Sequence, residues 1–202
     1  MFIQHEPFSQ EARLVLNRDD FLTFNQMETI TMATVTLQGK PQKTIGDLPK
    51  VGSQAPDFTL TKTDLSEITL TDCLGKKILL SIFPSVDTGT CATAMRRFNE
   101  QVNNMTNVTV LCVSADLPFA QKRFCAAENL NNVTSVSVFR HPDFGKKYGV
   151  LLTTGPLTGL LSRAVVILDE KGNVMYTQLV PEISAEPDYA AALAALQQSV
   201  VP

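Results

Sequence analysis

Residues 84–91 read PSVDTGTC and follow directly on the apolar run ILLSIF. A cysteine inside a core strand needs no such preparation. One at the mouth of a strand-to-helix junction sits where a thiolate can be both stabilised and reached. With a strand ending at Phe83 and a helix opening near Gly89 or Thr90, Cys91 falls in the first helical turn. Unpaired backbone N–H groups and the positive end of the helix dipole favour an anion there. A free cysteine titrates near pH ~8.5 and is about 3% thiolate at pH 7; a pKa of roughly 6 would raise that about thirtyfold, less whatever nucleophilicity is lost as the pKa falls. Ionisation alone therefore does not make a fast enzyme, and donors must also stabilise the charge that develops on the group attacked. Thr88, three residues before Cys91, accepts and donates a hydrogen bond at once. Pro84 fixes the chain as it leaves the strand and shields the sulfur from water.

The elements that must position these residues are legible from residue 33 onward. TVTLQGKPQKT predicts a hairpin turning at Gly39-Lys40-Pro41, and short strands are expected around residues 58–60 and 68–70. KKILLSIF and NVTVLCVSAD are continuous apolar runs, as expected of strands covered on both faces. Helices are predicted over residues 90–104, from Pro118 through LPFAQKRFCAAENL, at 142–148 and in PDYAAALAALQQSV; a strand is predicted at 133–138. RAVVILDEKGNVMYTQLV reads as a second hairpin through residues 169–172. The order β-α-β, helix, β-β-α predicts an α/β, thioredoxin-like fold: a mixed central sheet, flanking helices and an N-terminal β-hairpin.

The chain divides into residues 1–32, an N-terminal extension, and 33–202, the folded domain. The extension has no cationic start followed by an apolar core, so no secretory signal is read there, and its excess of acids argues against a mitochondrial transit peptide. Leu14, Val15, Leu16, Phe21, Leu22 and Phe24 suit a short amphipathic helix or interaction segment; the plainer expectation is a poorly ordered extension. Seventeen basic against twenty acidic residues, with no basic run, exclude an electrostatic nucleic-acid footprint. No apolar stretch reaches the roughly 18 residues of a membrane span. Of the four cysteines, none form C-x-x-C, and the only histidines are His5 and His141, so neither a disulfide scaffold nor a zinc site is expected.

The octet has the pattern P-x-x-x-T-x-x-C and resembles the active-site motif of peroxiredoxins. The longer strings FPSVDTGTCATAMRRFNE, SADLPFAQKRFCAAENLNNV, GPLTGLLSRAVVILDEKGNV and EPDYAAALAAL are similar to the bacterial thiol peroxidase branch, over residue 33 to the C-terminus. The resemblance implies that Cys91 is the peroxidatic cysteine, which attacks the peroxide O–O bond and becomes a sulfenic acid. Thr88 and Pro84 match the residues that position the peroxide and enclose the sulfur. Arg163 matches the arginine that holds the thiolate, its plainer reading being a strand-edge surface charge. Cys125 matches the resolving cysteine, which forms an intramolecular disulfide with Cys91; read alone, it is a buried helix residue. Cys112 is expected to be structural. Cys73 is expected to be incidental, though oxidisable if exposed. The resemblance further implies recycling by thioredoxin, a homodimer, no metal, haem or flavin, and hydroperoxide substrates with a preference for organic ones, for which TTGPLTGLL could supply an apolar wall. A cytoplasmic location is expected.

Rival chemistries are weaker. Cys91 and Arg97 satisfy the C-x5-R spacing of cysteine-dependent phosphatases, but the intervening ATAMR favours helix over a phosphate-wrapping loop and holds no glycine. A cysteine hydrolase needs a histidine base. A disulfide reductase would carry a cysteine where Thr88 stands. A peroxide sensor that relays oxidation to partners needs the same thiols as a peroxidase, and turnover is what separates them.

Overall fold

The two continuous apolar runs form the centre of the sheet. A computed structural model describes residues 32–103 and 105–198. In it β5 (Lys77–Ile82) pairs in parallel with β6 (Val108–Ser114), from Lys77↔Val108 to Ile82↔Val113. On one side β6 pairs in parallel with β7 (Thr134–Ser137), followed by antiparallel β3 (Thr59–Lys62) and β4 (Glu67–Thr69). On the other, β5 pairs antiparallel with β8 (Ala164–Leu168), which pairs with β9 (Val174–Leu179). The order β4-β3-β7-β6-β5-β8-β9 is the mixed sheet expected from the chain.

Period-two alternation divides each central strand between two cores. Ile78, Leu80 and Ile82 join Leu111, Val113 and Val166 against Phe58, Phe144 and Tyr148, beside α1 (Leu70–Cys73) and α4 (Asp143–Lys147). Leu79 joins Val110, Cys112, Val165 and Ile167 on the opposite face, under α2 (Gly89–Gln101) and α5 (Tyr189–Gln197), with Phe124 and Cys125 of α3 (Pro118–Glu128) packed at its side. Covering both faces is what turns these strands into unbroken apolar runs.

Three local expectations change. The hairpin of β1 (Thr34–Leu37) and β2 (Lys40–Lys43) turns at Gln38-Gly39, with φ of 51° and 75°, so Lys40 and Pro41 lie in the second strand. Positive φ at both turn residues matches the twist of the flanking strands, and Gly39 carries it without strain. Leu70 opens α1 instead of extending a strand, because Thr69 and Asp72 form a reciprocal capping box. The helix expected over residues 90–104 ends at Gln101. The amphipathic segment read at residues 14–24 lies outside the described residues. Among the described residues no helix is long and apolar enough to cross a membrane.

Candidate active site

Beyond β5 the chain stays pinned to the sheet through Phe83 N–H, which donates to the Val113 carbonyl at 3.1 Å. The turn that follows is organised by Asp116, at the end of the neighbouring β6. Its carboxylate accepts from Ser85 Oγ at 2.7 Å, from Val86 N–H at 2.8 Å and from Ser114 Oγ at 2.7 Å. Thr88 then becomes the N-cap of α2, with extended backbone (φ −108°, ψ 140°) but no side-chain capping bond. A threonine there ordinarily accepts from the first-turn amides. Here its hydroxyl donates to Cys91 Sγ at 2.7 Å.

Arg163 immediately precedes β8, and the pairing Ile82↔Ala164 brings it to the end of β5. Its Nη2 donates to Cys91 Sγ at 3.3 Å and its Nε to the Ile183 carbonyl at 2.8 Å. Arg163 is 3% exposed and Cys91 0%, so the surface-charge reading of Arg163 is overturned. Among the described residues no carboxylate pairs with this buried guanidinium. An uncompensated buried cation is costly, and the sulfur of Cys91 is the group placed to carry negative charge beside it.

Thr88 and Arg163 open onto a cavity of about 190 Å³ whose apolar wall comprises Leu37, Pro84, Leu157, Leu160 and Ile183. That is roughly six times the volume of one water molecule, more than hydrogen peroxide alone requires. Leu157 and Leu160 come from the TTGPLTGLL segment, whose place as an apolar wall matches the expectation. A second pocket of about 190 Å³, lined by Asp57, Arg140, His141, Asp143 and Lys147 among others, contains no cysteine.

Pro84, Thr88, Cys91 and Arg163 are thus brought together, while Cys125 is not among them. Cys125 is half-buried on α3, with Sγ 3.0 Å from Ser135 Oγ of β7, and both it and Cys91 are free thiols. Burial raises the Cys125 pKa, opposed in part by the Ser135 bond. Cys112 is fully buried in the sheet, and burial pushes its thiol well above the ordinary range. Cys73 is buried too, so the exposure that would make it oxidisable is absent; burial, with the Asp72 charge adding to it, pushes it up to about 11. At pH 8 a thiol of that pKa is only about one part in a thousand ionised. Alkylation of the reduced native protein at pH 8 is therefore expected to leave the Cys73 and Cys112 peptides unmodified until denaturant is added, as read by peptide mass spectrometry. Rapid native labelling of Cys73 would contradict its burial.

The rival motifs dissolve in the same geometry. Arg97 lies over the Tyr189 ring, 5.0 Å from its centroid, and pairs with Glu186 at 3.4 Å, on a helix instead of a phosphate loop. His141 Nε2 lies 3.0 Å from Glu67 Oε1 and has no part in the cysteine site. Sequence reasoning missed Asp116, Leu37 and the Ile183 carbonyl. An acid at the end of a buried strand was a usable hint for Asp116; the other two act through backbone or distant packing and leave no local pattern.

The redoxin family profile matches residues 50–193. The chain is similar to the thiol peroxidase of Corynebacterium glutamicum, 54% identical over 165 residues that cover 82% of this chain and 99% of that protein. It is 56% identical to the thiol peroxidase of Mycobacterium tuberculosis over the same shares. Among solved structures, a peroxiredoxin-like protein from Aquifex aeolicus superposes with a TM-score of 0.78 at 44% identity, covering 82% of this chain and 97% of that one. A thiol peroxidase from Chromobacterium violaceum gives 0.76 at 25% identity, covering 81% and 95%. The chain belongs to the redoxin family, with a thioredoxin-like fold, as a peroxiredoxin enzyme of the thiol peroxidase type.

Proposed function

We propose that Cys91 is the peroxidatic and Cys125 the resolving cysteine of a thioredoxin-recycled, atypical two-cysteine peroxidase that acts on hydrogen peroxide and organic hydroperoxides. The observation that carries this reading is the convergence of Thr88 Oγ1 and Arg163 Nη2 on Cys91 Sγ beside an apolar cavity. The sulfur attacks one peroxide oxygen, the O–O bond breaks, and the alkoxide leaves and is protonated to the alcohol. The products are a Cys91 sulfenic acid and ROH. The Cys125 thiolate then attacks the oxidised sulfur, forming the disulfide and releasing the hydroxyl as water once protonated. Thioredoxin dithiol returns both cysteines to thiols by exchange. Thr88 and Arg163 serve as donors to charge developing on the peroxide. Pro84 walls the sulfur from bulk water. A cytoplasmic, reducing setting suits this cycle.

A coupled assay comparing hydrogen peroxide with alkyl hydroperoxides, with thioredoxin supplied or withheld, tests it. Multiple turnovers that stop without thioredoxin are expected, with the higher kcat/KM for the alkyl substrates. A single turnover despite thioredoxin would instead favour a sensor. Leu117 and Phe119, 53% and 64% exposed at the start of α3, supply apolar surface for the second copy of a homodimer, checked by analytical ultracentrifugation. A chain starting at Met32 is expected to keep full peroxidase activity; loss of activity would make the first 31 residues part of the machinery.

Disulfide formation asks each sulfur to leave its partner. Cβ atoms must come within about 3.5–4.5 Å, whereas packed helix axes stand about 8–10 Å apart. The two helices are also tied together: Arg96 of α2 forms a two-pronged bond to Glu128 of α3 at 2.7 and 2.8 Å, and in the loop after α3 Asn132 Nδ2 donates to the Asn99 carbonyl at 3.0 Å. Local unwinding of one or both segments is the route that follows. Hydrogen exchange is expected to differ strongly between reduced and oxidised protein over residues 88–96 or 122–128. Equal protection in both forms would remove the unwinding step and leave the peroxidase activity untouched.

A further inference from the structure

Arg163 and the first turn of α2 are both gripped by one loop after β9. Arg163 Nε donates to the Ile183 carbonyl at 2.8 Å, and Thr90 Oγ1 donates to the adjoining Ser184 carbonyl at 3.0 Å. Two consecutive carbonyls thus hold the guanidinium and the turn that carries Cys91. What holds the loop is Glu182. Its Oε2 accepts from Thr36 Oγ1 at 2.8 Å and from Gly39 N–H at 3.0 Å. Its Oε1 accepts from Gln38 N–H at 3.0 Å, from Ser184 N–H at 3.1 Å and from the Ser184 hydroxyl. Backbone bonds run alongside, from Thr36 N–H to the Pro181 carbonyl at 2.7 Å and from Ile183 N–H to the Thr36 carbonyl at 2.8 Å.

The pairing is chemically apt. Gln38 and Gly39 both have positive φ, and successive N–H groups in such a turn make an anion-binding concavity. The Ser184 hydroxyl first, then the Gly39 N–H, hold the Glu182 carboxyl well below the usual carboxylate range, so the clamp stays ionised at neutral pH. The two segments it joins also contribute Leu37 and Ile183 to the apolar wall of the cavity.

We propose that Glu182 is a positioning residue for the peroxidatic centre: by clamping the hairpin turn to the loop after β9, it seats Arg163 against Cys91 and sets the Leu37–Ile183 wall. This rests on the assignment of Cys91 and Arg163 made above. It needs no contact between Glu182 and the peroxide.

Glu182→Gln tests it at nearly constant volume. Whichever way the amide turns, its NH2 faces at least one backbone N–H that now meets an oxygen. Stopped-flow oxidation is expected to slow about tenfold with hydrogen peroxide, and about tenfold more with cumene hydroperoxide, because the wall shifts as well as the arginine. In an Arg163→Ala background the hydrogen peroxide loss should largely vanish, since Glu182 acts there through Arg163; a merely structural role would give an additive loss. Thr36→Val removes one of the three bonds that Glu182 receives from the hairpin and should shift the substrate ratio in the same direction by less, which keeps the test open if Glu182→Gln folds poorly. Unchanged rates and ratio in both variants, or full additivity with Arg163→Ala, would overturn the role of Glu182 while leaving Arg163 in place. An Arg163→Ala protein oxidised as fast as the parent would overturn both readings at once.

Discussion

Replacing Cys91 by serine is expected to abolish peroxide consumption, by a factor on the order of 10⁴ or more in turnover. Serine is close in size, and its hydroxyl can still receive the bonds from Thr88 Oγ1 and Arg163 Nη2 that now reach Sγ. What it loses is sulfur itself: a hydroxyl ionises far less readily than a thiol and lacks the soft nucleophilicity that breaks an O–O bond. No other cysteine can take over. Cys73 and Cys112 are buried with raised pKa values, and Cys125 is raised by burial and sits against Ser135, away from the donors at Cys91. The thermal midpoint should move little, because neither volume nor polar satisfaction changes much at the helix start. The check is a thioredoxin-coupled assay beside a circular dichroism melt. Substantial turnover by a folded Cys91→Ser protein would transfer the chemistry to another residue.

The second large effect is expected at Arg163. Arg163→Ala removes the buried guanidinium that bonds Cys91 Sγ and leaves the Ile183 carbonyl without its donor. Loss of one preorganised donor at a centre where charge develops costs about 10²–10³ in rate. The second-order rate of Cys91 oxidation should fall by that order. Arg163→Lys should recover only part of the rate: one ammonium is a point charge and cannot reproduce a planar fork that bonds the sulfur and a carbonyl together. Stopped-flow oxidation of the parent and both variants at one pH reads these rates. Parent-like kinetics in Arg163→Ala would remove this residue from the site.

Much of the fold was legible, for reasons that lie in single residues. Ile78 to Ile82 and Val110 to Val113 are apolar at every second position on both faces except Ser81, and such strands have to be covered twice. The start of α2 was readable because Pro84, Thr88 and Cys91 lie within eight consecutive residues, where spacing alone places them. The hairpin turn was misplaced because glycine and proline at residues 39 and 41 suggest a bend between them, while the chain bends where φ is positive, at Gln38 and Gly39. The capping pair Thr69 and Asp72 was a local signal passed over. Cys73 shows the limit of composition, since nothing in TDCLGKK says that its thiol is buried under the sheet.

The sequence by itself determined the place of Cys91 at a helix start and the layered α/β frame, because those depend on side-chain period and on contacts within a few residues. The tertiary structure alone decided what surrounds the sulfur. Arg163 reaches Cys91 from 72 positions away only because β8 pairs with β5, and among the described residues it is buried there without a carboxylate partner, which makes it a partner for an anion. The clamp between Glu182 and the hairpin turn joins residues 143 and 144 positions apart through backbone N–H groups, which every residue but proline carries and no sequence pattern reveals. Tertiary packing also keeps Cys91 and Cys125 as separate thiols on two tied helices, because each sulfur has its own hydrogen-bond partner and leaving it requires the chain around it to open.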